Sequence, residues 1–324
     1  MILTVTLNAA LDITYHLRRL RLLESNRVDA VAARAGGKGI NVSRVLHALG
    51  HETVVTGLAG GPTGHVLRHE LAAAGLRDEL VTIEGETRRT VAVVDESRGD
   101  TTIFLERGPV VTAAAWAQFL HRYERLLPRA AAVVLAGSLP DGLSNDAYAV
   151  LIRRARTHRV PVVLDADGEA LRAGVGEAPA VIKPNAVELG AASGSSDPHS
   201  GAAALRAAGA QAVVASLGPD GLIACSPQGS WRARPPQALS GNPTGAGDAA
   251  VAALALGLVA GVSWPAMLVE AVALSAAAVA APLAGDFDST VYRRLQETVT
   301  VETVAACPAD VASDAPNGAA VTQP

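Results

Sequence analysis

The chain has 324 residues, of which 49% are hydrophobic and only 3% aromatic, so a sizeable core has to be built from Ala, Val and Leu rather than large rings. Net charge is −4 and no run of Lys or Arg forms a stripe, which argues against sequence-independent binding of nucleic acid. Cys225 and Cys307 lie far apart without CxxC or Cys/His spacing, so neither a disulfide framework nor a zinc site is expected, and a reducing cytoplasm is the expected setting.

The N-terminal MILTVTLNAALD lacks a basic n-region and meets a charge at Asp12, so it reads as a buried first strand, Ile2–Leu7, and not as a signal peptide. The segment 12–34 fits no βα alternation. Helical periodicity follows over 38–49, then a strand Thr53–Gly57 and a helix over 63–74. Residues 88–105, RRTVAVVDESRGDTTIFL, read as two strands joined by a polar turn at Ser97–Asp100. With 12–34 they are expected to form a small sheet over the site.

Further along come a helix 112–126 with Thr112 as N-cap, a strand Ala132–Ala136, and a helix 144–156 with Ser144 as N-cap. Strands Pro161–Leu164, Ala180–Ile182 and Ala212–Ser216 follow, with a helix over 199–208 before the last. Runs apolar on both faces suit central parallel strands covered on two sides, so a doubly wound α/β sheet is predicted. The apolar stretch 246–284 is interrupted by Gly257, Gly261, Trp264, Pro265 and Glu270 and reads as two core helices, not a membrane span. From about 306 the chain is rich in Ala, Pro and small polar residues and is expected to be a disordered tail.

The strongest local signal is Asn242-Pro-Thr-Gly-Ala-Gly-Asp248, followed at once by the apolar run AAVAALALGLVAG. Gly245 and Gly247 permit close backbone approach, and the first N–H groups of a helix have no internal partners, so the loop can cradle an anion. Asp248 has two readings. It can simply favour the helix dipole, by up to ~1 kcal/mol, or it can accept the proton of an attacking hydroxyl beside an anion hole. No GxxxxGK[ST] occurs, so a Walker-type nucleotide site is not indicated, and AGGKGIN lacks the GxGxxG of a dinucleotide fold.

GNPTGAGDAAVA resembles the signature of the ribokinase-like (PfkB) carbohydrate kinases, and AGGKGINVSRVLHALG at 35–50 resembles their N-terminal glycine-rich motif. GSLPDGL (137–143), VVLDADGEAL (162–171), IKPNAVEL (182–189) and SLGPDGL (216–222) extend the resemblance over about residues 1–290. It implies a ribokinase-like doubly wound, mostly parallel α/β sheet with helices on both faces and a small β-sheet lid. The kinase domain would span 1–305, with lid segments at about 12–34 and 87–105.

The same resemblance implies roles. Asp248 would be the base, with Gly245, Ala246 and Gly247 amides holding the transferring phosphoryl group; Asp12, Gly36, Gly37, Gly39, Asn41 and Ser138 would hold the sugar. Lys183, Asn185, Ser216, Gly218, Gly221 and Thr244 would surround ATP, and Asn185 and Glu188 would influence Mg2+ through water, although their spacing alone reads as an N-cap with an ordinary helix acid.

TLNAALD, AGGKGIN, GETR and GSLP together look most like the branch containing 1-phosphofructokinase and tagatose-6-phosphate kinase, with a slight lean to the latter. A phosphorylated substrate needs spare positive charge. Lys38, Arg88 and Arg27 are the candidates, Arg88 being preferred over Arg89. Lys38 departs from the glycine of some family members. Partners are then a small-molecule sugar phosphate, no nucleic acid and no membrane, with a homodimer through the lid permitted by the apolar alternation of Val91–Val94 and Ile103–Leu105. A kinase for an unphosphorylated sugar or nucleoside, and a nucleotide-binding regulator without catalysis, are the alternatives.

Overall fold

The structure, a computed structural model, describes residues 1–239 and 241–304. The first half runs β1 (Ile2–Thr6), β2 (Ala10–Leu17), β3 (Ala30–Gly36), α1 (Lys38–Ala48), β4 (Thr53–Gly60), α2 (Gly61–Ala73), β5 (Arg77–Asp78), β6 (Val81–Ile83), β7 (Arg88–Asp95) and β8 (Asp100–Leu105). Next come α3 (Ala113–Leu126), β9 (Ala132–Ala136), α4 (Ala147–Thr157), β10 (Val162–Asp165), α5 (Gly168–Val175), β11 (Val181–Ile182), α6 (Ala186–Ser193) and α7 (Pro198–Ala207). The chain continues through β12 (Val213–Ser216), β13 (Leu222–Ser226), β14 (Gly229–Arg234), α8 (Ala246–Ala260), α9 (Trp264–Val279), α10 (Ser289–Thr298) and β15 (Thr300–Val304).

Alternate residues of the central strands belong to different layers, which is why the runs carry no polar face. Leu3, Val5, Val133 and Leu135 pack with Phe119 and Tyr123 of α3 and Tyr148 and Leu151 of α4. Ile2, Ala132, Val134 and Ala136 pack instead with α1, α8 and α9. The second layer is largely alanine: Ala249, Ala250, Ala252, Ala253 and Ala255 of α8 are all buried, and small side chains let helices approach the sheet closely.

The large sheet has the order β15-β14-β13-β12-β11-β10-β9-β1-β4-β5, with β6 also on β4. Pairs from β12 to β5 and β6 are parallel; β13, β14 and β15 extend that edge antiparallel. Since β1 has β4 on one side and β9 on the other, the strand order reverses at β1. Open α/β sheets bind ligands outside the strand carboxyl ends at such a switch point.

A second sheet of four strands, β3-β2-β7-β8, comes from the two regions that break the alternation. β2 pairs β3 antiparallel and β7 parallel, with Asp12 opposite Arg34 on one side and Thr90 on the other. Asp12 thus lies within a strand of this sheet and not merely after the first strand. Every residue of β8 is exposed.

Thr112 accepts from Ala115 N at 3.2 Å as the N-cap of α3. Ser144 does not cap. Its carbonyl accepts from Ala147 N and the turn through Asn145 delays α4, whose N-cap is Asp146. The β13–β14 hairpin and β15 fall outside the expected strands, because their short runs around Pro227-Gln228-Gly229 carry no long apolar signal. Cys225, buried on β13, carries a disulfide bond, against the expectation of none. Cys307 and the tail 306–324 lie outside the described residues.

Gly57 shows how tightly β4 meets β1: with φ +147°, an added Cβ would lie 1.9 Å from the Thr6 carbonyl oxygen. Gly57→Ala is expected to destabilise the fold by about 2 kcal/mol or more, read as a lowered denaturation midpoint with an unchanged denaturant slope.

Candidate active site

The carboxyl ends of β10, β11 and β12 and the small sheet line a cavity of about 1050 Å3, while those of β1 and β9 line a smaller one beside it. Asp12 and Arg88 reach it from the small sheet; Asp165, Lys183, Ser216 and the start of α8 reach it from the large one.

At the start of α8, Gly245 is the N-cap in the left-handed region at φ +87°, and a Cβ there would lie 2.9 Å from Ala284 Cα. Ala246, Gly247 and Asp248 form the first turn and line the cavity; Ala246 N donates to the Pro243 carbonyl at 3.2 Å, and the Gly247 and Asp248 N–H groups have no partner within the helix. Asp248 is only 6% exposed and its carboxylate accepts from Asn41 Nδ2 at 2.8 Å. A surface acid placed merely for the helix dipole would not be buried this way. Burial, then the charge of Asp165, push the Asp248 pKa up to about 7, against the Asn41 hydrogen bond and the charges of Lys38 and Lys183.

Lys183 follows β11 and is 4% exposed; Asp165 ends β10 and is 1% exposed. One oxygen of Asp165 lies 3.2 Å from Lys38 Nζ and 3.6 Å from Lys183 Nζ. One carboxylate oxygen therefore faces two ammonium groups. Lys38 at the first position of α1 keeps 39% of its side chain exposed. Burial works against its charge, yet Asp165, Glu188 and Asp248 hold its pKa above the usual lysine value. Asp165 was not singled out from the sequence. The available signal was an acid closing a strand that is otherwise apolar on both faces, VVLD.

At the other end, Lys38, Arg88 and Gly37 also line a smaller adjoining cavity of about 170 Å3 with Ser138 and Asn8. Arg88 Nε donates to the Asn8 carbonyl at 3.1 Å, and Asn8 Nδ2 donates to Ser138 Oγ at 3.1 Å. Arg89 points elsewhere and pairs with Glu106 at 2.7 Å on the surface. Gly36 is needed beside Asp12, since a Cβ would lie 1.9 Å from its carboxylate, and Gly39 lets α1 settle on Thr6. Burial raises the Asp12 pKa to about 6 despite the Thr90 hydrogen bond and the charges of Arg88, Arg34 and Arg44. Arg27 is exposed between β2 and β3 and lines neither cavity.

Asn185, Glu188, Ser216, Gly218, Gly221 and Thr244 line the far part of the large cavity, where Leu239, Ala276 and Val279 add an apolar wall. Gly221 has φ +83°, and a Cβ would lie 2.0 Å from the Ala233 carbonyl. Asn185 and Glu188 form a capping box: each side chain accepts from the other's backbone N–H, at 2.9 and 2.8 Å. No group of three or more His, Cys, Asp or Glu able to cage a metal occurs among the described residues. A cation arriving with phosphates would meet the carboxylates of Asp165 and Glu188 in this cavity.

A site with an apolar slot, one buried and one half-exposed lysine, an anion-binding helix start and a buried acid suits phosphoryl transfer to a hydroxyl. Residues 5–290 match the pfkB family carbohydrate kinase family. The chain belongs to that family. Its fold is ribokinase-like, and it is an ATP-dependent carbohydrate kinase. It is similar to a Thermotoga maritima protein described as a possible 1-phosphofructokinase, at 30% identity over 94% of this chain and 99% of that one, with a TM-score of 0.85. Escherichia coli phosphofructokinase-2 is similar in its complex with fructose-6-phosphate, at 28% identity, 91% and 98% coverage and a TM-score of 0.82. The tetrameric inhibited form of the same enzyme matches at 29% identity, 91% and 98% coverage and a TM-score of 0.83. No helix among the described residues is long and apolar enough to cross a membrane.

A raised carboxylate pKa makes the folded chain bind a proton more tightly than the unfolded one, so this group's contribution lowers stability as pH rises from 3.8 to about 7. Asp248→Asn removes that contribution. Its melting temperature relative to the parent protein is expected to rise between about pH 4 and about pH 8, as checked by paired thermal melts.

Proposed function

We propose that this kinase transfers the γ-phosphoryl group of ATP to a hydroxyl of a hexose phosphate, making a hexose bisphosphate as 1-phosphofructokinase or tagatose-6-phosphate kinase does. The observation that carries this reading is the small cavity where Lys38 and Arg88 meet Ser138, beside Asp12 and apart from the nucleotide slot. Lys38 pairs with Asp165 and Arg88 donates to the Asn8 carbonyl, but each side chain carries further N–H donors beside this cavity, and a phosphate already on the substrate would accept from both. The fructose-6-phosphate bound to the Escherichia coli relative supports the same substrate class.

In this reading Asp12 and Asn41 hold sugar hydroxyls and Gly37 lets the substrate approach the backbone, while Gly36 and Gly39 make room for Asp12 and Thr6. Asp248 takes the proton of the attacking hydroxyl, and the Gly245–Gly247 amides hold the developing charge. Lys183, Asn185, Ser216, Gly218, Gly221 and Thr244 line the nucleotide's place. Mg2+ would neutralise phosphate charge, with Glu188 and Asp165 holding its waters. Residues 1–305 act as one kinase domain in which the small sheet is a lid that excludes water as a competing acceptor. Ile103 and Leu105 line the cavity, and Phe104 between them, 58% exposed, is the apolar residue of β8 that supports pairing of two lids in a homodimer.

ADP release with ATP-Mg is to be measured against fructose 1-phosphate, fructose 6-phosphate, tagatose 6-phosphate and the free sugars. One phosphate ester is expected to turn over far better than any free sugar; activity on free sugars alone would overturn the reading. Arg88→Leu should raise KM for that ester at least about tenfold while the KM for ATP stays put. As the base must be ionised, kcat/KM is expected to fall as pH drops through about 7. Asn41→Leu removes a hydrogen bond that favours the carboxylate, so that acid limb should move to higher pH.

A further inference from the structure

Arg34 and Asp286 stand 252 residues apart in sequence and meet in a two-pronged ion pair, Nη1 to Oδ2 at 2.8 Å and Nη2 to Oδ1 at 2.5 Å. Arg34 lies on β3, opposite Asp12 in the small sheet. Asp286 lies in the connection 280–288 between α9 and α10. This connection underlies the anion-binding turn. Ala284 abuts Gly245, Gly285 abuts Asn41, and Asn242 Nδ2 donates to the Pro282 carbonyl at 3.2 Å. Asn41 in turn holds Asp248. The ion pair is thus the direct side-chain tie between the sheet that carries Asp12 and the loop that supports the α8 start.

Surface ion pairs contribute little, but this one has the geometry that escapes that rule: a bidentate fork, with Arg34 only 21% exposed. A second guanidinium, Arg44, packs against Gly285 and donates to the Ala35 carbonyl. Its burial and the neighbouring Arg34 charge depress its pKa to about 10, while Asp286, Glu70 and Asp12 oppose this. Two adjacent cations therefore depend on Asp286, and its loss would push β3 away from the connection.

We propose that Arg34 and Asp286 are a positioning pair that sets the separation between the acceptor side of the site, at Asp12, and the anion-binding turn at Gly245–Asp248. This rests on the phosphoryl-transfer roles given to Asp12 and Asp248 above. Neither residue touches substrate in this assignment. Misplacement of about 1 Å between donor and acceptor groups is enough to slow a reaction strongly, so the pair should act on kcat more than on nucleotide affinity.

The test uses the full chain with Arg34→Gln, Asp286→Asn and both together. Amide hydrogen exchange of the free protein is followed over 30–36, 241–248 and 281–288, and steady-state kinetics are followed with the best sugar ester. Either single change is expected to speed exchange in all three segments and to lower kcat about tenfold, with the KM for ATP within about twofold; the double variant should be no worse than one single. Exchange that rises only around the altered residue, or losses that add in the double variant, would overturn the proposal. A parent protein that turns over no sugar ester would instead refute the proposed substrate class, while the exchange pattern would still decide the positioning role.

Discussion

The site depends on keeping one carboxylate ionisable while it is almost wholly out of water. Asp248 is tolerable in that place because Asn41, Lys38 and Lys183 partly offset its desolvation, while Asp165 pairs with the two lysines and its charge opposes that of Asp248. Removing Asn41 or either lysine would leave the buried carboxylate less well compensated, which is the costly case. The result is a carboxylate whose affinity for a proton lies near neutrality, suited to taking a proton and giving it back.

The sheet makes this cluster without long loops. β1, β10 and β11 end at one level, so Thr6, Asp165 and Lys183 come together although they are distant in sequence, and α1 and α8 deliver their first turns to the same edge. An alanine-built layer helps: α8 lies against the sheet through Ala side chains, so its N-terminus can come close to Lys183, with a Cβ at Gly247 3.4 Å from its Nζ.

Much of this was legible in the sequence where a local pattern carries a local cause. Glycines flanking Asp248 before an apolar run, Thr112 ahead of its helix, and apolar runs closed by turn residues all gave elements in the expected places. Other features have no local cause. Asp165 matters only because β10 and β11 are neighbours, a fact of pairing and not of composition. Arg34 reads as one charge in an alanine-rich strand until Asp286 appears beside it. Ser144 failed for a subtler reason, as two residues of turn can separate a good capping residue from its helix. Arg27 remains a surface residue of the single chain.

The small sheet supplies Asp12 and Arg88, whereas the large sheet and α8 supply Asp165, Lys183 and Asp248. The cavity is therefore walled by separate stretches of chain on separate sheets. On the proposed reading, changes within residues 10–36 and 88–105 would reshape one wall of the acceptor's place while Lys183 and Asp248 stay untouched, so part of the acceptor preference could shift without a new catalytic apparatus.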